Sequence, residues 1–166
     1  MYKKILVPLD GSEQAECVLS HVEGFVADCR VDTIVFMRVI KPVSFLSIAK
    51  SVDPEAEPKE YEKMKENIDL IEDKRKFFAA RYLTGVASRV KQGEVEYKTN
   101  VLVGKIAESI VDYANTHEID LILIATHGRS GINRWMHGSI ADRVLRSSSA
   151  PVLMVRPDGI ISRGEA

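Results

Sequence analysis

Short apolar runs recur along the chain and are separated by longer amphipathic segments. The runs at 4–10, 31–40 and 119–124 are apolar at most positions, which is typical of parallel strands that are buried on both faces. The segment 94–103 alternates apolar and polar residues instead, which predicts a less covered strand at the edge of a sheet. A last apolar run at 151–155 predicts a fifth strand, also at an edge.

The segments between these runs have the periodicity of amphipathic helices. They predict helices at about 13–28 and 59–91, after Gly104-Lys105, and from Ser139. The long charged helix at 59–91 has apolar residues at roughly helical spacing, which we expect to be buried: Met64, Ile68, Ile71, Phe78, Tyr82, Val86 and Val90.

Strands and helices alternate in the order β-α-β-α-β-α-β-α-β. This order predicts an α/β fold: a single doubly wound, Rossmann-like domain with a five-stranded, mostly parallel sheet and helices on both faces. The domain should span residues 1–157, and residues 158–166 should form a mobile tail.

Composition narrows the classes of function. The net charge is −1 and the sequence pI is about 6.4, which argues against a general nucleic-acid binder with a basic face. No apolar run is long enough to cross a bilayer, so we expect no membrane partner. Cys17 and Cys29 lack the spacing of a zinc site and no secretory signal precedes them, so we expect a cytoplasmic protein without a disulfide.

Residues at three strand ends should meet at one edge of the sheet. Asp10-Gly11-Ser12, Val39-Ile40 and Thr126-His127-Gly128 each lie at the carboxyl end of a predicted strand or just after it. Open α/β sheets bind ligands in the crevice at the carboxyl ends of their strands, so we expect one crevice there. Asp10 has two interpretations of equal weight: a residue of an Asx turn, or a carboxylate that contacts a ligand.

A glycine-containing loop follows the strand at 119–124. It begins with residues 125–131 and continues to Gly138-Ser139, where Ser139 can cap the next helix. Backbone N–H groups and the positive end of a helix dipole would converge there, which favours a phosphate or another anion. The alternative is a plain turn, because the loop lacks both G-x-G-x-x-G and the P-loop motif. Gly104-Lys105 lacks the upstream P-loop glycine and is interpreted as a turn.

Nucleophilic catalysis is not indicated by this loop. His127 lies near Ser130 and Ser139 in the sequence, but nothing supplies a positioned base together with an orienting acid. We therefore predict no catalytic residue and interpret His127 as a hydrogen-bonded loop histidine.

These residues together resemble the universal stress protein family over nearly the whole chain. The resemblance rests on the segments 4–12, 125–131, 138–139 and 150–156, on the strand end at Val39 and on Gly104 before a helix. It implies the Rossmann-like fold that the family shares with the adenine nucleotide alpha hydrolases. The family's ATP-binding branch carries G-x2-G-x9-G-[ST]; here Gly128 and Gly138-Ser139 match, and Ala125 replaces the first glycine.

The resemblance also implies a ligand and the residues that hold it. The ligand would be ATP, or ADP or AMP, with Mg²⁺ bound through the phosphates and water and no protein ligand to the metal. The implied contacts run from the adenosine to the phosphates: Pro8, Asp10 and Ser12 beside the adenosine, Val39 at the adenine, Ala125, Thr126, His127, Gly128, Arg129, Ser130 and Gly131 around the ribose and phosphates, and Gly138, Ser139 and Ile140 at the β- and γ-phosphates.

Three functions remain open at this point. The first is a regulatory module in stress response that binds adenine nucleotide and is recognised by a further, unidentified protein partner. The second is a dimeric interaction module of the same fold that binds no nucleotide, and the third is a slow ATPase. The apolar final strand and the resemblance both predict a homodimer through residues 151–155.

Overall fold

The structure is a computed structural model of the 166-residue chain. It describes residues 2–28, 30–44, 58–90, 93–126 and 140–157. The predicted tail at 158–166 and most of the glycine-containing loop lie outside these ranges.

Strands and helices alternate within the described residues, as the apolar pattern predicts. In chain order the elements are β1 (Lys4–Pro8), a 3-10 helix (Ala15–Val18) that leads into α1 (Leu19–Asp28), β2 (Thr33–Ile40), α2 (Pro58–Val90), β3 (Glu96–Val103), α3 (Ile106–Thr116), β4 (Leu121–Ala125), α4 (Ile140–Ser147) and β5 (Val152–Val155).

The strands form one five-stranded sheet in the order β3-β2-β1-β4-β5. The pairings between these strands are parallel. β1 lies in the centre, with Ile5 level with Ile34 of β2 on one side and with Leu121 of β4 on the other. The chain therefore crosses from one half of the sheet to the other after β3, and the strand order reverses between β1 and β4. The predicted fold class is confirmed.

Alternate residues of the central strands point into two separate cores. Ile5 and Val7 contribute to the core beneath α1 and α2, whereas Leu6 contributes to the core beneath α3 and α4. All three side chains are fully buried. Helices thus cover both faces of the sheet, which explains why polar residues are nearly absent from these strands.

The buried stripe of α2 differs from the predicted one at two positions. Ile71 and Phe78 are 42% and 62% exposed, whereas Ala79 and Leu83 are buried and Leu83 belongs to the core beneath α2. At 100° per residue, Ile71 and Phe78 lie roughly 60° and 80° away from the line through Ile68 and Val86. The prediction at these two positions was wrong because size and apolarity do not reveal whether a side chain faces the same chain's core.

Both edges of the sheet lie where the pattern predicts them. β3 is half-covered at most of its positions, and β5 exposes Leu153 and Met154 at the other edge. Within the described ranges, no helix combines the length and apolar character needed to cross a membrane.

Candidate functional site

A cavity of about 370 Å³ opens at the carboxyl ends of β1, β2 and β4. Its position is the point where the strand order reverses, which is where open α/β sheets bind ligands. Its volume is within the range of roughly 300–1,000 Å³ that is usual for small-molecule sites. The wall is predominantly apolar and is formed by Pro8, Leu9, Asp10, Ala15, Met37, Val39, Ile106, Ile110, Ile124, Ala125, Ile140 and Ala141.

The loop after β1 supplies the carboxylate at this cavity. Both the backbone N–H and the hydroxyl of Ser12 donate to Asp10 Oδ1, at 2.9 and 2.6 Å. The Ser12 hydroxyl oxygen in turn accepts from the Ala15 N–H at 3.1 Å and so caps the following 3-10 helix. The Asx-turn interpretation of Asp10 is correct, and the same side chain lines the cavity. The two interpretations are therefore compatible.

Gly11 fits this turn because it has no side chain. Its φ is +89°, and a Cβ at this position would lie 2.9 Å from Nη1 of Arg38. The Arg38 guanidinium also stacks over the Tyr82 ring, with its central carbon 5.4 Å from the ring centroid. Arg38 therefore lies between the loop that carries Asp10 and the helix α2.

The Tyr82 side chain of α2 is hydrogen-bonded to Glu16, which lies in the 3-10 helix after the same loop. The Tyr82 hydroxyl donates to Glu16 Oε1 at 2.9 Å, and Arg89 donates to Glu16 Oε2 at 2.7 Å. Burial, and then the Glu16 carboxylate, raise the pKa of Tyr82 well above its usual value. Tyr82 therefore stays a hydrogen-bond donor at neutral pH, and the loop beside the cavity is connected to α2 through Arg38, Tyr82 and Glu16.

Replacing Gly11 by alanine is expected to lower the free energy of unfolding by about 1–3 kcal/mol. A positive φ is unfavourable for alanine, and the added methyl group would collide with the Arg38 guanidinium. Urea denaturation measures the effect. The matched control is Gly24→Ala within α1, where a Cβ has no neighbour within 4 Å; it should raise stability by about 0.5–1 kcal/mol. Equal stabilities of the two variants would show that the loop can relax away from Arg38.

The opposite wall of the cavity comes from β2 and α3. Met37 and Val39 lie two residues apart on β2, and Ile106 and Ile110 lie one turn apart on α3. The Gly104 N–H donates to the Ile40 carbonyl at 3.0 Å and sets the start of α3 against the end of β2. The sequence analysis connected neither Met37 nor the two isoleucines with the site. The available signal was the strand alternation that puts Met37 on the same face as Val39.

The third wall lies between β4 and α4. Ala125 ends β4 and lines the cavity, whereas the N–H of Thr126 donates to the Val155 carbonyl at 2.7 Å. An ion pair between Arg143 of α4 and Glu108 of α3 joins the two helices. The backbone N–H of Glu108 itself, and then Arg143, hold the pKa of the Glu108 carboxyl below its usual value. The helix that follows the glycine-containing loop is thus fixed against a helix that lines the cavity.

Five of the predicted site residues share this cavity: Pro8, Asp10, Val39, Ala125 and Ile140. Ser12 and Thr126 lie beside it, each hydrogen-bonded to the protein. The remaining predicted residues lie outside the described part of the chain: His127, Gly128, Arg129, Ser130, Gly131, Gly138 and Ser139. Among the described residues, no three His, Cys, Asp or Glu side chains are grouped so that they could hold a metal ion.

A parallel sheet with an apolar cavity at its switch point defines the class of open α/β proteins that bind ligands at strand ends. The chain belongs to the universal stress protein family, whose model matches residues 1–156. A similar relative is universal stress protein MJ0577 of Methanocaldococcus jannaschii, 28% identical over 168 residues, with 94% of this chain and 96% of the relative covered.

Solved structures of the same family have the same fold. The MJ0577 structure matches with a TM-score of 0.72 at 26% identity and covers 96% of this chain and 99% of that one. The universal stress protein from Archaeoglobus fulgidus in complex with dAMP matches with a TM-score of 0.55 at 20% identity, covering 92% and 97%. A family protein from Arabidopsis thaliana with AMP bound matches with a TM-score of 0.57 at 11% identity, covering 95% and 93%.

Proposed function

We propose that this protein binds an adenine nucleotide, ATP or its ADP or AMP forms, in the cavity at the ends of β1, β2 and β4. The observation that carries the proposal is the convergence of the residues after β1, β2 and β4 on one apolar cavity at the switch point. The dAMP and AMP in two relatives of this fold support the same ligand class.

The chemistry of the walls suits the adenosine part of such a ligand. A purine ring is flat and largely apolar, and Met37, Val39 and Ile110 offer it an apolar slot. The ribose carries two hydroxyl donors, and Asp10 offers a carboxylate at the cavity. We assign the base to the β2 side of the cavity and the ribose to the β1 loop.

The phosphates would lie toward the start of α4. Ile140 begins this helix and lines the cavity. The preceding sequence carries Gly128 and Gly138-Ser139 of the family's ATP-binding motif, which would supply backbone N–H groups to an anion. Mg²⁺ would be held by the phosphates and water, since its coordination seldom needs a full set of protein ligands.

The binding is proposed to be regulatory rather than catalytic. No acid, base or lysine is placed by the described residues at the cavity wall, apart from Asp10. Binding would change the loop that Arg38 and Tyr82 connect to α2, and a protein partner would recognise that change.

A homodimer through β5 is part of the proposal, because Leu153 and Met154 are about 40% exposed on this edge strand. Sedimentation as a monomer at micromolar concentration would contradict that part.

The ligand can be identified directly. The protein is purified without added nucleotide and denatured, and the released small molecules are analysed by mass spectrometry. We expect an adenine nucleotide from the parent and none from Gly128→Val. Nucleotide added at a hundredfold excess over Kd should contribute about 2.7 kcal/mol of stability, which raises Tm by roughly 5–10 °C for a domain of this size.

The contrary result is equally clear. If no nucleotide is released, and neither AMP, ADP nor ATP with magnesium raises Tm, the nucleotide proposal fails. The interaction module that binds no nucleotide then replaces it.

A further inference from the structure

The outward face of α2 carries an apolar patch of four large side chains around Lys74. Leu70, Ile71, Phe77 and Phe78 are 53%, 42%, 63% and 62% exposed. Leu70 and Phe77, like Ile71 and Phe78, are seven residues apart and therefore lie two turns apart on one side of the helix, with Lys74 between them. Single exposed apolar residues are ordinary, but four large ones in one patch mark an interaction surface.

Charge is divided sharply along the same helix. Residues 60–73 carry six acidic side chains and two lysines, whereas residues 74–90 carry five basic side chains and no acidic one. The division falls at the centre of the apolar patch. The acidic half of one α2 therefore attracts the basic half of another, whereas two acidic or two basic halves repel each other.

The apolar patch and the charge division are both centred on Lys74, so a two-fold axis at this residue would match two antiparallel copies of α2. If a second α2 lies antiparallel with Lys74 level in both copies, Leu70 faces the level of Phe78 and Ile71 faces the level of Phe77. At the same alignment Glu66 lies level with residue 82, beside Arg81. Apolar positions thus meet apolar positions, and the acidic half meets the basic half.

The surface beside the patch has room for such a partner. A groove of about 510 Å³ runs along the second half of α2 and is lined by Phe78, Arg81, Gly85 and Arg89, among others. A Cβ at Gly85 would have no neighbour within 4 Å, so another backbone can approach there. Lys63 of an antiparallel copy would lie level with Gly85.

We propose that α2 pairs antiparallel with α2 of a second copy of this chain, centred on Lys74. The apolar patch forms the middle of the contact, and the oppositely charged halves set its direction. An anionic lipid surface would attract only the basic half and would repel the acidic residues at 60–73, so the second copy fits the charge pattern better. α2 packs over β2 and β3, at the opposite side of the sheet from β5, so this contact leaves the β5 edge accessible.

Disulfide trapping tests both the contact and its direction. In a background with Cys17→Ala and Cys29→Ala, Lys74→Cys should form a disulfide-linked dimer under mild oxidation, because the position lies at the symmetry axis. Lys63→Cys and Gly85→Cys are eleven residues from Lys74 on either side, about 16 Å along the helix. Neither alone should cross-link, whereas the chain that carries both should cross-link between copies.

Two outcomes would overturn the proposal. A Lys74→Cys chain that forms no disulfide-linked dimer would show that the patch is covered in another way. A Lys63→Cys chain that cross-links alone would show a parallel contact. Lys63, Lys74 and Gly85 are exposed, whereas Cys17 is half-buried. Circular dichroism spectra identical to the parent's, for the cysteine-free background and for each variant, establish that the chains fold.

Sedimentation supplies a second measurement that needs no cysteine. Lys74→Leu removes the like charges that meet on the axis and should strengthen self-association roughly tenfold. Phe77→Ser with Phe78→Ser should weaken it by roughly tenfold or more. If Lys74→Leu instead weakens self-association, or if the parent binds phosphatidylserine vesicles and associates no further than a dimer through β5, the antiparallel pairing is wrong.

Discussion

A glutamate in place of Val39 is expected to eliminate adenine-nucleotide binding and to leave the fold intact. Val39 is half-buried at the carboxyl end of β2 and lines the cavity with Met37, Ile106 and Ile110. A carboxylate there would have to lose its hydration against an apolar wall, and it would repel the phosphates of the ligand. Affinity for AMP should fall by roughly a hundredfold or more, as measured by calorimetry.

The matched control is Val103→Glu. Val103 is also half-buried and also ends a strand, but it does not line the cavity. The same charge introduced there should change affinity by less than about twofold. Equal losses in both variants would point to a general charge effect, and full affinity in Val39→Glu would place the adenine elsewhere.

The second large effect is expected in the core of the sheet. Leu123 is completely buried in β4, between β1 and β5, in the core that contains Ile5 and Val7. Leu123→Ala removes three buried carbon atoms and leaves a cavity that close-packed neighbours refill only in part. The free energy of unfolding should fall by about 2–5 kcal/mol, seen in urea as a lower midpoint with an unchanged slope.

Leu145→Ala is the corresponding substitution on the surface. Leu145 is 43% exposed on α4, so the same atoms are removed from a side chain that water already contacts. We expect a loss below about 1 kcal/mol. A loss as large as that of Leu123→Ala would mean that another surface covers this face of α4.

The strands could be predicted because burial on both faces leaves a strong sequence signal. β1 and β4 admit almost no polar residue, since each face of the sheet is covered by helices. The helix α2 was predicted from its periodicity, yet Ile71 and Phe78 were assigned to the wrong side of it. An apolar residue indicates that something covers it, but the sequence does not say whether the covering surface belongs to the same chain.

The candidate site could be predicted only for residues near strand ends, because open α/β sheets bind ligands at the carboxyl ends of their strands. Pro8, Asp10, Val39 and Ala125 lie within two residues of the carboxyl ends of their strands, so parallel pairing brings them to one edge. The position of the Arg38 guanidinium beside Gly11 could not be predicted in this way. That contact depends on how β2 and the loop after β1 are set against each other in space.

The central position of β1 has a consequence for how the chain folds as it is made. Its neighbour β4 begins 117 residues after β1 does. The hydrogen bond from the Lys3 backbone N–H to the Asp120 carboxylate can likewise form only when Asp120 has been synthesised. When synthesis has reached the end of β3, one half of the sheet can assemble beneath α1 and α2. Leu6, Val35 and Met37 then remain exposed on the other face until α3 and α4 are made. The first strand to leave the ribosome is therefore among the last to be fully paired, and the nascent chain carries an apolar surface through much of its synthesis.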